Sequence, residues 1–431
     1  MITPFFKLRQ DDLFLIVEIR APNANIKDTE IEFFDRTFYF SSVPYFLRLA
    51  LPGDVEGGTT DAKTDYNVET GTFTIQMPKR NKGEQFPRLD MLSELLKPQR
   101  PSGQKAVEEL DESGEHDDEV PEDEVQVKQE LPVDEKTENK DDEQIREYGY
   151  GFAWLRHGIL SKFGTELEEL FDLHDADSVK IDERLLKIQK IDEQNFDSEY
   201  YLAELFDESD ELTEIKKLEM NASDFELNDE DRLQMKDLRI VKLPQFTTDE
   251  QRQISYSLAD LLFAYLFDLR INQWETNALT EVMIGKLAPS LSGCVRYSSA
   301  KEAICTAIRR SLCYSLYRQF DLGLQVANDL SVLLSKGRSK ILHCLLTIRK
   351  SFNNSGQEFV YLYNQLYLDN YCIWIQSVDD SILDQLISDV KEASKDLKRS
   401  DIAGLDLDYL ESEARMLKLK VDTGEYDSDD G

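Results

Sequence analysis

From Ile254 to Asn277 the chain reads ISYSLADLLFAYLFDLRINQWETN, with Leu258, Leu261, Leu262, Tyr265, Leu266 and Leu269 recurring at steps of three and four. That period predicts a helix. Phe263 and Phe267 fill a second side. A helix apolar over most of its circumference is buried by other helices rather than laid on a surface. Helical patterns also run from Leu167 through ELEELFDLHDADSVKIDERLLKIQKID and EYYLAELFDESDELTEIKKLEM, and from Asn277 to Pro289. They continue through AKEAICTAIRRSLCYSLYRQF, LGLQVANDLSVLL, KILHCLLTIRKSF, EFVYLYNQLYLDNYCIWIQ, ILDQLISDVKEASKDLKR and YLESEARMLKLKVD. No fixed-period repeat links them, so a bundled all-α domain is expected rather than a solenoid.

The first 96 residues follow a different period. FLIVEIRA from Phe14, IEFFDRTFYFS from Ile31, YFLRLALP from Tyr45 and TFTIQMPK after Gly71 are short runs with alternating or aromatic residues. Pro22–Asn23, Pro52–Gly53, Gly57–Gly58 and Thr70–Gly71 punctuate them, which predicts a small antiparallel β-sandwich. Between the two regions, residues 107–147 hold 19 acidic against 4 basic side chains. Such a segment cannot bury enough apolar surface to offset chain entropy. The expected organisation is therefore multidomain: an all-β sandwich over 1–96, an acidic disordered linker over 97–147, an all-α domain over 148–420 and an acidic tail over 421–431. Tyr148 to Leu160, with four aromatics and three glycines, is expected to be an irregular packed lead-in.

Charge narrows the function. The 431 residues carry a formal net charge of −36. A polyanion is repelled by nucleic-acid phosphates and by anionic membranes, so neither is expected as a direct partner. A basic protein is, and an RNA-binding protein lacking its RNA is one candidate. Cys294, Cys305, Cys313, Cys344 and Cys372 form no C-x-x-C pair, which suits reduced, buried thiols. The N-terminus has no long apolar run, so no secretory signal is expected. No uncharged apolar stretch reaches the roughly 18 residues of a membrane span.

Catalytic signals are missing. No phosphate-cradling glycine loop, dinucleotide fingerprint or nucleophile elbow occurs. His343 beside Cys344 points to a different side of its helix, so the pair reads as a core cysteine next to a partly exposed histidine. The Cys and His spacing supplies no zinc site. No catalytic residue, metal ligand or cofactor is expected. His116 falls in the linker, and Ser428 in the tail matches a weak acid-directed phosphorylation motif. Arg309, Arg310 and Arg318 near Tyr314 and Tyr317 either neutralise an acidic domain or form buried pairs that fix helix packing. Asp369, inside an aromatic stretch, reads as a helix cap or salt-bridge partner.

Two sets of residues carry a resemblance. MITPFFKLRQDDLFLIVEIRAPN with PYFLRLALP resembles the CS domain, a β-sandwich shared with small co-chaperones. DLLFAYLFDLRINQWETN, KLAPSLS, RRSLCYSLYRQFDL and LYLDNYCIWIQ are similar to the C-terminal helical domain of the SHQ-type H/ACA ribonucleoprotein assembly chaperones. The resemblance implies a monomeric, non-enzymatic protein that binds the free dyskerin-type pseudouridine synthase. It implies that this protein shields the synthase's RNA-binding surface and prevents aggregation until assembly, with release by AAA+ ATPases. Nucleus and cytoplasm follow as locations, and ribosomal RNA maturation as the process served. Tyr265, Phe267 and Trp374 are expected in the core. Asp260, Asp268, Arg270, Asp369 and Asn370 are expected as an exposed partner-facing set. The alternative is a general co-chaperone whose CS domain docks on the ninety-kilodalton heat-shock chaperone.

Overall fold

The computed structural model describes residues 3–22, 29–42, 45–56, 63–67, 70–96, 141–162, 170–206, 209–221, 225–238, 243–354 and 361–422. The expected acidic linker, with His116, lies outside the described residues as far as residue 140. So does the expected tail from residue 423, with Ser428. Two units emerge: Met1–Leu89 with Glu94–Thr137, and Asp90–Ser93 with Glu138–Gly431.

The first unit is built from β1 (Phe5–Gln10), β2 (Phe14–Arg20), β3 (Glu30–Ser42), β4 (Tyr45–Val55), β5 (Lys63–Asn67) and β6 (Thr72–Pro78). One antiparallel sheet runs β1-β2-β6-β5, and a second pairs β3 with β4. The alternation read from sequence sets the faces. Leu15, Val17 and Ile19 of β2 and Phe73, Ile75 and Met77 of β6 are buried, as are Phe38, Phe40, Leu47 and Leu49 of the other sheet. Lys79 is buried with them. Its ammonium donates to Gln10 Oε1 (2.9 Å), Asp11 O (2.7 Å) and Glu84 O (2.6 Å). Of the basic residues Lys79, Arg80 and Lys82 that follow β6, the first is therefore in the interior.

The helices are α1 (Leu92–Leu95), α2 (Asp141–Tyr148), α3 (Ile181–Asn195), α4 (Ser198–Leu205), α5 (Asp210–Lys217), α6 (Asp229–Asp237), α7 (Thr248–Ile271) and α8 (Thr280–Leu287). They continue as α9 (Pro289–Ser292), α10 (Ala300–Tyr314), α11 (Phe320–Ser335), α12 (Arg338–Asn354), α13 (Tyr361–Tyr363), α14 (Asp369–Ser377), α15 (Asp380–Asp396) and α16 (Leu407–Asp422). A π-helical turn, Asn364–Leu368, joins α13 to α14. α7 opens on a capping box: Glu250 N–H donates to Thr247 Oγ1 (3.3 Å), and Thr247 N–H donates to Glu250 Oε2 (2.7 Å). Every residue of α7 from Ile254 to Arg270 is buried, with α8, α10, α11, α12 and α15 packed around it. Gly323 of α11 sits where a Cβ would lie 3.1 Å from the Ile308 side chain of α10, so those helices cross closely there.

Residues 167–169 of the helix expected from Leu167 lie outside the described residues; from residue 170 the chain is irregular, and helix begins at Ile181. Arg184 of that helix is wholly buried. Its guanidinium donates to Tyr148 O (2.6 Å), Gly149 O (2.6 Å), Ala176 O (2.9 Å), Val179 O (3.2 Å) and Cys294 O (3.0 Å). Here Ala176 and Val179 turn their carbonyls to the arginine, and the chain stays irregular up to α3. The second expected helix, from Glu199, is split into α4 and α5. Asp197 and Ser209 cap them, accepting from the N–H groups of Tyr200 and Leu212. The lead-in segment is packed as expected. Tyr150 pairs with Arg156 in a short antiparallel bridge, and its hydroxyl accepts from the N–H groups of Ile159 (2.6 Å) and Leu160 (2.9 Å).

Removing the Arg184 head group strands five carbonyls at once. Arg184→Met is expected to cost roughly 3 kcal/mol or more in urea unfolding. Arg184→Lys, with three donors in place of five, should recover only part of that loss.

Candidate partner-facing surface

Three of the five residues expected on an exposed face lie in the core. Asp260 is 1% exposed, Asp268 2% and Arg270 0%. The apolar circumference of α7 leaves no solvent-facing side, so its charges turn inward to polar groups of neighbouring segments. Asp260 Oδ2 accepts the Ser290 N–H in the first turn of α9 (2.9 Å). Its other oxygen faces the Tyr297 hydroxyl, but neither completes a hydrogen bond of ordinary geometry. Burial pushes this carboxyl up to about 7, against the lowering effect of Ser290. Asp268 accepts from the Thr280 hydroxyl (2.7 Å) and from the Asn272 amide (3.1 Å). Burial raises it to about 6, and the Glu281 charge acts in the same direction. Arg270 donates to Asp329 Oδ2 (2.7 Å), Ile215 O (2.7 Å) and Leu218 O (3.0 Å). Asp369 and Asn370 are half-buried on α14, and Asp369 pairs with Arg349 at 2.7 Å. The set is therefore not one exposed patch. Tyr265, Phe267 and Trp374 are core residues, as expected.

A second buried network joins α10 to α3. Asp192 accepts from Arg309 Nε (3.1 Å), Arg310 Nη1 (2.9 Å) and the Tyr314 hydroxyl (3.1 Å). Arg310 also reaches Asp172 (2.5 Å), which accepts from Lys286 (2.7 Å) and Ser292 (2.9 Å). Burial works to raise Asp172, but Arg310 and Lys286 together hold it below the usual carboxylate value. Of the two readings open for Arg309 and Arg310, the buried pair is the one found. Asp172, Asp192, Arg184 and Asp329 were missed by the sequence reading. A signal existed for α3, where Arg184 and Asp192 fall in phase with Ile181 and Ile188 on its buried stripe. Cys344 is buried, and half-buried His343 lies 2.8 Å from Asp231 through Nδ1.

Negative charge is displayed elsewhere. Glu193, Glu199, Asp210, Glu211, Glu214 and Glu219 are exposed on and beside α3, α4 and α5 and form no ion pair among the described residues. No group of three His, Cys, Asp or Glu residues among the described residues can hold a metal ion. No described helix is long and apolar enough to cross a membrane.

The described residues thus form an antiparallel β-sheet unit and an all-α unit with buried ion networks and exposed carboxylates. Residues 3–96 match the family model described as SHQ1-like, CS domain, and residues 216–405 match that described as SHQ1 protein, Shq1 domain. A Caenorhabditis elegans protein named Protein SHQ1 homolog is 37% identical over 430 residues, covering 98% of this chain and 99% of that one. A Mus musculus protein of the same name is 32% identical over 450 residues (98% and 77%). Protein shq1 of Schizosaccharomyces pombe is 29% identical over 427 residues (91% and 93%). The chain belongs to the SHQ1 family. Membership supports an assembly-chaperone role in the H/ACA ribonucleoprotein pathway.

The burial of Asp260 makes a pH prediction. Its carboxyl ionises near 3.8 in the unfolded chain and near 7 in the folded one. A group raised on folding stabilises fully while protonated, below about 4, and that contribution is lost as pH rises through about 7. Asp260→Asn, neutral throughout, should gain stability relative to the parent steadily across that window in urea titrations, and level off above it. Asp260→Lys should instead abolish cooperative unfolding, because it forces an unpaired cation into the core.

Proposed function

We propose that this chain is an assembly chaperone for box H/ACA ribonucleoproteins that binds the free dyskerin-type pseudouridine synthase. The observation that carries this reading is the display of unpaired carboxylates along α3 to α5, in a chain of net charge −36 that belongs to the SHQ1 family. A basic RNA-binding face left empty before assembly is the complement of such a surface. Occupying it as an acidic RNA mimic blocks unspecific RNA and keeps the synthase soluble. Release passes to AAA+ ATPases, and the protein works in the nucleoplasm and cytoplasm, where its client is used and made.

The test is capture of purified dyskerin-type synthase by the full chain, with guide RNA titrated in. Binding should weaken several-fold between about 0.1 M and about 0.5 M salt, and RNA should compete for the synthase. Simultaneous occupancy by chaperone and RNA, or binding indifferent to salt, would remove the mimicry.

A further inference from the structure

The chain leaves the first unit and enters the second within a few residues. Phe86 is pinned to β1 of the first unit. Its N–H donates to Gln10 Oε1 (2.8 Å), and its carbonyl accepts from Gln10 Nε2 (2.9 Å). The same Gln10 oxygen accepts from the buried Lys79 ammonium (2.9 Å), which holds the glutamine in place. Only Pro87, Arg88 and Leu89 separate Phe86 from Asp90–Ser93, and those four residues already belong to the second unit.

That short segment is built into the helical unit. Met91, Leu92 and Ser93 are all buried. The Ser93 N–H lies in the first turn of α1, where a helix cannot pair its own donors. It donates instead to Gln376 Oε1 of α14 (3.0 Å). Gln376 is itself wholly buried, and its Nε2 donates to Cys372 O (2.7 Å), which aims the amide oxygen at Ser93. Ser93 Oγ lies 3.5 Å from Met235 O, a last-turn carbonyl of α6. If the segment departed, Gln376 would keep a buried acceptor with no donor, and two apolar side chains would return to water. Both changes oppose release. Beyond Ser93 the second unit resumes at Glu138, so it flanks the acidic stretch on both sides.

We propose that Met91–Ser93 is an intramolecular anchor, seated on Gln376 and the end of α6, and that Pro87–Leu89 is the hinge between the two units. The acidic stretch is then an excursion that starts and ends on the helical unit, and its length does not set how far the units can part. Three residues span at most about 10 Å. The proline ring fixes its own φ near about −65°. Arg88 stands at φ 59°, a region that few side chains other than glycine adopt, and such a residue persists only where its surroundings hold it. Two of the three hinge residues are therefore restricted, so the hinge is stiff as well as short. Releasing the anchor would lengthen the connection to everything from Pro87 to Lys140. A partner held by one unit stays within reach of the other, whichever client the chaperone reading supplies.

The experiment is double electron–electron resonance on the full chain. Spin labels go on Glu30→Cys of β3 and Glu413→Cys of α16, both exposed, in a Cys305→Ser background, since the other four cysteines are buried. The labelled parent should give one narrow distance distribution. Deleting residues 107–137 should leave its mean and width unchanged. Met91→Asp with Leu92→Asp should broaden it about threefold or more, while the amides of α7 keep their exchange protection. A broad distribution in the parent, broadening by the deletion alone, or equal widths in the parent and the anchor variant overturns the proposal. Should the anchor variant fail to fold, the parent decides. Its Ser93 amide is expected to exchange about a hundredfold or more slower than in the unfolded chain, and exchange at the unfolded rate removes the anchor.

Discussion

A guanidinium that cannot reach water depends on acceptors inside the protein, and the helical unit is arranged around four that find them, Arg309 through its Nε alone. Arg184, Arg270, Arg309 and Arg310 are all fully buried. Each joins segments that apolar packing alone would leave free to slide. Arg184 gathers the lead-in, the approach to α3 and the loop after α9. Arg270 fixes α7 to α11 through Asp329 and to the end of α5 through two carbonyls. Arg309 and Arg310 lock α10 to α3. Hydrophobic burial is non-directional, whereas a planar five-donor fork accepts few arrangements. In this unit the apolar surface supplies the drive to collapse, and the arginines select which collapsed arrangement is kept.

Much of the fold was legible because its signals are periodic. The β2, β3, β4 and β6 runs alternate as strands do, and α7 repeats at three and four over its whole length. What was misread depended on contacts distant in sequence. The stretch from Leu170 to Lys180 has helix-compatible composition, yet Ala176 and Val179 turn their carbonyls to an arginine further along. The pause between α7 and α8 was likewise invisible, because it hangs on Asn277 and Thr280 bonding each other and Asp268.

The site was less legible than the fold, for a related reason. Charged residues on a helix are assigned to its solvent face by default, and Asp260, Asp268 and Arg270 were read that way. On α7 there is no such face. The same apolar pattern that predicted a buried helix therefore also implied buried charges, and the two inferences had to be made together. Asp369 was readable alone, because one partner, Arg349, sits on the adjoining helix.

The five carbonyls around Arg184 also bear on how the protein is made. Tyr148, Gly149, Ala176 and Val179 leave the ribosome before the arginine does, but Cys294 follows 110 residues after it. α7 and α8 emerge in that interval, before α10, α11, α12 and α15 exist to cover them. Until then the nascent chain holds a long apolar helix and an incompletely bonded cation, a combination prone to off-pathway association. A protein whose family membership supports an assembly-chaperone role thus passes through an interval of exposure during its own synthesis.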